Sequence, residues 1–195
     1  MTGKASRPPS AQPAPARAAV LPRGQRVLLR PLAGSDAQEF IAAVRSSRRL
    51  HRPWVIPPAT TAEFARRMQG RSGDSKSVAL LAVRRHDDAL LGLFNLSEII
   101  RGPLQQSFLG YYAFAPHAGQ GYMKEALQLV LAHAFRALQL HRIEANIQPG
   151  NLPSIALVRG CGFVREGFSE RYLKIGGRWR DHERWAITRE AWSSR

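Results

Sequence analysis

The sequence predicts an α+β chain, strands and helices in mixed order around one sheet, on three observations. Residues 77–84 and 90–100 are β-rich apolar runs joined by the short polar turn His86-Asp87-Asp88, the pattern of a hairpin. Between Gly121 and Gln139 the apolar residues Met123, Ala126, Leu127, Val130, Leu131, Ala134, Phe135 and Leu138 recur at three- and four-residue steps, which places them on one face of a helix. A length of 195 residues at 44% apolar content suffices for one core and leaves two full domains cramped.

The elements follow in order. Residues 1–23 hold Pro8, Pro9, Pro13, Pro15 and Pro22 among alanines, serines and basic residues, with no acidic group and no periodicity, so a disordered basic tail is expected there and a single domain over 24–195. Residues 25–30 read as a strand, and Ser35-Asp36-Ala37-Gln38 as a capping box opening a helix to about Arg49. Arg52-Pro53-Trp54-Val55-Ile56-Pro57-Pro58 breaks the helical pattern before Thr60-Thr61-Ala62-Glu63 opens a second helix ending near Gly70. After the hairpin, residues 107–114 continue the sheet. Beyond the long helix come a strand at 142–147, a short capped helix at 151–160, and strands at 163–174 and 179–188 joined through Ile175-Gly176-Gly177-Arg178.

Composition narrows the function. The longest clean apolar stretch, Val78 to Val83, is far too short to cross a bilayer, and no apolar segment follows the basic N-terminus, so a soluble protein is expected. Cys161 is the single cysteine, which excludes an internal disulfide. The six histidines lack the i, i+4 spacing of a metal-binding helix face, and no metal is expected. The formal charge of +15 favours phosphate-rich partners, although the arginines are spread along the whole chain rather than gathered in one block.

Ala118-Gly119-Gln120-Gly121-Tyr122-Met123 offers the chemistry a diphosphate needs: a strand that stops at a glycine turn, then the N-terminus of a helix with its free N–H groups. The glycines allow close approach and positive φ. No Lys-Ser or Lys-Thr follows a second glycine as in a P-loop, and there is no third glycine with a later acidic residue as in a dinucleotide fold.

The order Tyr111-Tyr112-Ala113-Phe114, Gly119-Gln120-Gly121, long helix, His141-Arg142-Ile143-Glu144, Asn151-Leu152-Pro153-Ser154, Gly162-Phe163 resembles the GNAT acetyltransferase family. Tyr172-Leu173, Gly177-Arg178-Trp179 and Arg180-Asp181-His182 resemble the tail of its ribosomal-protein alanine N-acetyltransferases of the Rim type, and Arg52-Pro53-Trp54 that group's substrate-side loop. The resemblance covers about Gln25 to Thr188. It implies a twisted, mostly antiparallel sheet flanked by helices, with acetyl-CoA as co-substrate and direct attack by an amine in a ternary complex.

It further implies that the backbone of Ala118, Gly119, Gln120, Gly121, Tyr122 and Met123 holds the diphosphate, that the strand Tyr112, Ala113, Phe114 pairs with the pantetheine arm, and that Asn151 belongs to the cofactor site. A backbone N–H polarises the thioester carbonyl. Glu144 is the candidate base, with an ion pair to Arg142 or Arg171 as the competing reading. Where many relatives keep a tyrosine to protonate the thiolate this chain has Val158, which leaves Ser154 or an ordered water. Ser154 equally fits the helix cap begun by Asn151. Pro116 replaces an arginine or glutamine common before the turn. Trp54 and Trp179 frame the acceptor cleft.

Cys161 reads as core packing, and His182 beside Asp181 as an exposed turn histidine rather than a proton shuttle. Three functions stay open: acetylation of a protein N-terminal α-amine, ribosomal proteins included; acetylation of a small amine; and a non-enzymatic basic module binding RNA or ribosomes. The positive charge counts against cationic small amines. The expected setting is cytoplasmic, away from membranes, as monomer or homodimer, with electrostatic contact to the ribosome open to the basic tail.

Overall fold

A computed structural model describes residues 21–69 and 76–194. Seven strands form one sheet in the order β1-β2-β3-β4-β5-β7-β6, with β1 Val27–Pro31, β2 Val78–Arg84, β3 Leu90–Ile100, β4 Gln106–Ala113, β5 Arg142–Ile147, β6 Val164–Ile175 and β7 Arg178–Thr188. Every neighbouring pair is antiparallel except β4 with β5. The predicted hairpin is β2–β3, and the predicted sheet, mostly antiparallel and flanked by helices, is the one found.

The central strands are buried on both faces, which is why β2 reads as an almost continuous apolar run. On one face Leu80, Ala82, Phe94 and Leu96 pack with Leu127, Val130, Leu131 and Phe135 of the long helix and its continuation. On the other, Leu81, Val83, Leu93 and Phe114 pack with Phe40, Ile41 and Val44 of α1 (Ala37–Ser46) and Phe64 of α3 (Thr61–Gln69). Phe40 meets Phe64 and Phe114 at ring centroid distances of 5.2 and 5.6 Å.

Several local readings change. The first helix is split into α1 and the single turn α2 (Arg48–His51), after a 3-10 turn at Gly34–Asp36. Its cap is not Ser35: the Asp36 carboxylate accepts the Ala33 N–H at 2.8 Å and is itself held by Arg30. The second predicted capping box is real, with Thr60 Oγ1 accepting from Glu63 N–H and the Glu63 carboxylate accepting from Thr60 and Ala59 N–H; Gly70, its predicted end, lies outside the described residues. The long helix is α4 (Tyr122–Ala132), closing in a π turn at His133–Ala137. A short α6 (Arg189–Ser193), capped by Thr188, follows β7. Within the segment read as tail, Leu21 packs on the core and Arg23 bridges to Leu28; residues 1–20 lie outside the described residues.

Candidate functional site

β4 and β5 pair only through Gln106–Phe108 and Arg142–Glu144. Beyond those residues each strand keeps its outer neighbour, β4 pairing with β3 as far as Ala113 and β5 with β7 as far as Ile147. A gap therefore opens in the middle of the sheet, edged by unpaired backbone. Phe114 N–H donates to Leu91 C=O, so the even-numbered backbone of β4 faces β3 and the groups of Tyr111 and Ala113 face the gap.

Two of those edge groups are already occupied. His51 Nε2 bonds the Ala113 carbonyl at 2.8 Å, and Ala115 N–H donates to Ser47 Oγ at 2.9 Å. The side chains of Tyr112 and Phe114 pack into the α1 core, and burial pushes the Tyr112 phenol up to about 12. Within the predicted segment Tyr112 to Phe114, the backbone free to meet an incoming chain is the Ala113 N–H.

At the end of β4 the chain turns through Ala118 to Gly121 into α4. Gly119 and Gly121 stand at φ of 78° and 82°, in the left-handed region where glycine is at ease. Gly121 is the helix cap, no side chain caps it, and the first amides of α4 are left for an external anion. An ideal Cβ on Gly119 meets no atom within 4 Å, so the turn lies open. Two basic side chains that sequence reasoning missed flank it. Arg26 lies over the Tyr122 ring at 4.7 Å and donates to Gln120 C=O, while the tip of Lys124 reaches over the end of α5 (Leu152–Gly160), its Nζ 3.8 Å from a Cβ built on Gly160. Arg26 comes to the turn only through folding, from a distant position that no local spacing announces, and Lys124, local to the turn, shows its reach toward α5 only in the fold.

Across the gap, Asn151 caps α5 by accepting the Ser154 N–H at 3.3 Å, with Pro153 in the first turn. The cap uses the backbone of Ser154, and its hydroxyl makes no hydrogen bond among the described residues. Tyr111, which the sequence marked only as strand, sends its hydroxyl 3.1 Å to the Ser154 carbonyl and so ties β4 to α5 across the gap. Val158 is fully buried, and Cys161 is buried as expected.

On the opposite face of the sheet, Gln148 Nε2 donates to the Trp54 carbonyl at 3.1 Å, and the Trp54 ring lies 3.2 Å from a Cβ built on Gly150. A cleft opens there, lined by Trp54, Gln148, Gly150, Trp179, Arg180 and Asp181. Trp54 and Trp179, far apart in sequence, share one cleft, and Trp179 is 60% exposed.

Two expected residues are placed differently. Glu144 is 9% exposed and pairs with Arg142 at 3.2 Å, Arg142 being held in turn by Glu166. Glu144 stands opposite Phe108, where β4 and β5 are still paired, and the ion pair to Arg142 named as its competing reading is formed there. His182 is not an exposed turn residue: it is 2% exposed, packs on Tyr172, and burial holds its imidazole below the usual histidine range. Among the described residues no group of three or more His, Cys, Asp or Glu is arranged for a metal.

A sheet parted between two parallel strands, with an uncapped glycine turn at one lip and an aromatic cleft at the other face, defines an acyl-CoA-dependent transferase. The chain belongs to the GNAT acetyltransferase family, whose domain matches residues 26–164, and it is an acetyl-CoA-dependent N-acetyltransferase. It is 36% identical over 172 residues to the Probable N-acetyltransferase YjcK of Bacillus subtilis, covering 85% of this chain and 95% of that one. It is 38% identical to the [Ribosomal protein uS5]-alanine N-acetyltransferase of Escherichia coli over 104 residues, 53% of this chain and 54% of the relative. Among solved structures, Mycobacterium smegmatis RimJ in complex with CoA-disulfide superposes with a TM-score of 0.77 at 30% identity, covering 84% of this chain and 82% of that one.

Proposed function

We propose that this enzyme acetylates the N-terminal α-amine of a protein, a ribosomal protein being the first candidate, in the cytoplasm. The observation that carries this reading is the Trp54–Trp179 cleft, which is open to the surface and therefore admits the end of a polypeptide. A relative named for ribosomal protein uS5 supports it. A spermidine N(1)-acetyltransferase of Vibrio cholerae is also 25% identical over 171 residues, but a protein of charge +15 repels a polycation and attracts an acidic or nucleic-acid-bound partner.

Acetyl-CoA supplies the activated acetyl thioester. The amides of Gly119, Gln120, Gly121, Tyr122 and Met123, with Ala118 leading in, hold its diphosphate at the dipole of α4, with Arg26 and Lys124 adding charge. Ala113 N–H and the gap-facing groups of Tyr111 align the pantetheine arm. Asn151 shapes the first turn of α5, which brings the Ser154 hydroxyl to the gap to donate to the departing thiolate.

The test offers the purified enzyme and acetyl-CoA a panel of peptides with Ala or Ser N-termini beside spermidine and other small amines, and reads products by mass spectrometry. Acetylated peptide N-termini are expected. Turnover confined to small amines overturns the acceptor assignment, and absence of acetyl-CoA binding by calorimetry overturns the assigned cofactor residues.

A further inference from the structure

The acceptor arrives as an ammonium near neutral pH, since an α-amine has a pKa of about 8, and one of its protons must leave before nitrogen can attack. Glu144 is taken up by Arg142 at the paired end of β4 and β5. The face of β5 that carries Gln148, a residue lining the acceptor cleft, holds two other acceptors, buried beside that cleft.

Side-chain alternation fixes which residues share that face. On β5, Ile143, Ala145 and Ile147 point into the α4 core, so Glu144 and Asn146 point the other way, followed by Gln148, whose amide holds Trp54. On β7, Trp185 and Ile187 belong to the same core, and Glu183, two residues before Trp185, accepts its indole N–H; Arg184 and His182 therefore share the face of Asn146. The register pairs Asn146 with Arg184 and Ile147 with Glu183, which sets His182 diagonal to Asn146 and beside Gln148.

Asn146 Oδ1 is buried and has no hydrogen-bond partner, an expensive state for an amide oxygen unless a ligand or water completes it. His182 bonds the Arg180 carbonyl through Nδ1 at 2.9 Å. A carbonyl accepts, so Nδ1 carries the proton and Nε2 keeps its lone pair. Tyr172 of β6 packs edge-on at 6.0 Å and fixes the ring. Arg180 and Arg184 flank it on β7, Asn146 and Gln148 are neutral, and Asp181 is the charged group that acts on the ring, opposing the burial that keeps it neutral.

We propose that His182, reached through a water held by Asn146 Oδ1, accepts the proton of the acceptor ammonium. This rests on the reading of the cleft as the acceptor site. The ammonium gives one proton through the water to His182 Nε2, which later releases it to solvent. The nitrogen lone pair forms the new C–N bond as the C–S bond breaks with its electrons on sulfur, and the second N–H proton ends on the thiolate.

The experiment measures kcat/KM for an Ala-terminated peptide from pH 5.5 to 9.5 in the wild type and in His182→Gln, with acetyl-CoA binding followed in parallel. In the wild type the acid limb should fall below pH 6.5, the ordinary value for a histidine, because the enzyme deprotonates the bound ammonium itself. In His182→Gln the limb should move toward the amine's own pKa of about 8, with a loss of about 10- to 100-fold at pH 6.5 that closes above pH 9, and unchanged acetyl-CoA affinity. A loss equal at every pH marks a structural role and overturns the proposal. So does a wild-type limb already at the amine's pKa, a result that needs no variant to fold. A wild type that binds acetyl-CoA but acetylates no peptide overturns the acceptor reading and this inference with it.

Discussion

His51 Nε2 donates to the Ala113 carbonyl at 2.8 Å, so the single-turn helix α2 grips the β4 edge of the gap in the sheet. With Ser47 holding Ala115 N–H two residues further on, the α1–α2 corner fixes β4 at two points where β5 no longer supports it. His51→Phe keeps the aromatic packing on Tyr112 but leaves a carbonyl without its donor, a loss of about 1–3 kcal/mol. The expected outcome is a raised KM for acetyl-CoA with a smaller change in kcat, recovered in part by His51→Gln; steady-state kinetics at fixed acceptor concentration check it.

Three buried histidines make the fold sensitive to mild acid. Burial lowers the pKa of His51, His133 and His182 below the usual histidine value. Between that lowered value and about 6.5 the unfolded chain binds protons that the native state refuses, so stability rises with pH there. Their contribution is fully present above about pH 6.5 and is lost as pH falls toward the lowered folded-state values. Melting temperatures from pH 8 to 5 should fall across this window, and His133→Gln should flatten part of the slope.

The strands, the amphipathic helix α4 and the glycine turn were legible because each is a local pattern: period two, period three to four, or a backbone needing glycine. Thr60 and Glu63 were readable for the same reason, a reciprocal pair three residues apart. Ser35 misled because Asp36 reaches back to Ala33 instead, a choice set by Arg30 on the neighbouring strand. What converges on the gap from afar left no local trace. His51, Tyr111, Arg26 and Asn146 become site residues only through the sheet order, and a two-residue difference in register would have turned Glu144 into the gap's neighbour instead of Asn146. The burial of His182 was hidden likewise, since it depends on Tyr172 folding over it from β6.

The two turn glycines should separate backbone strain from crowding. At Gly119 a Cβ meets nothing, so Gly119→Ala bears only the left-handed penalty of about 1–2 kcal/mol. At Gly121 the same φ problem is joined by Arg26 Nη2 at 3.4 Å from the added Cβ. Calorimetry should show acetyl-CoA affinity weakened in both and more in Gly121→Val, with far-ultraviolet circular dichroism unchanged. Equal affinity in all three proteins counts against the amide cradle.

Glu125 joins β1 to the start of α4: its carboxylate accepts Arg26 N–H at 2.8 Å and Val27 N–H at 3.1 Å, and pairs with the Arg26 guanidinium. Glu125→Ala leaves two strand amides without acceptors and releases Arg26 from its position over Tyr122. Stability should drop by about 1–3 kcal/mol, and acetyl-CoA affinity should become less sensitive to salt as Arg26 leaves the turn. Urea unfolding and calorimetry at two salt concentrations report the two effects.

Asn151 and Ser154 divide the remaining question of α5 between structure and chemistry. The cap runs from Ser154 N–H to Asn151 Oδ1, so it survives Ser154→Ala and is lost in Asn151→Ala. Asn151→Ala should cost about 1 kcal/mol of stability and raise KM for acetyl-CoA as the first turn of α5 frays. Ser154→Ala should leave the melting temperature unchanged, because the serine's backbone carbonyl still accepts from Tyr111, and should lower kcat at constant acetyl-CoA affinity if the hydroxyl meets the departing thiolate. A serine variant with wild-type kcat removes Ser154 from the chemistry and leaves the second proton of the attacking nitrogen to reach the thiolate without it, since Val158, buried one turn further along α5, has no group to relay a proton.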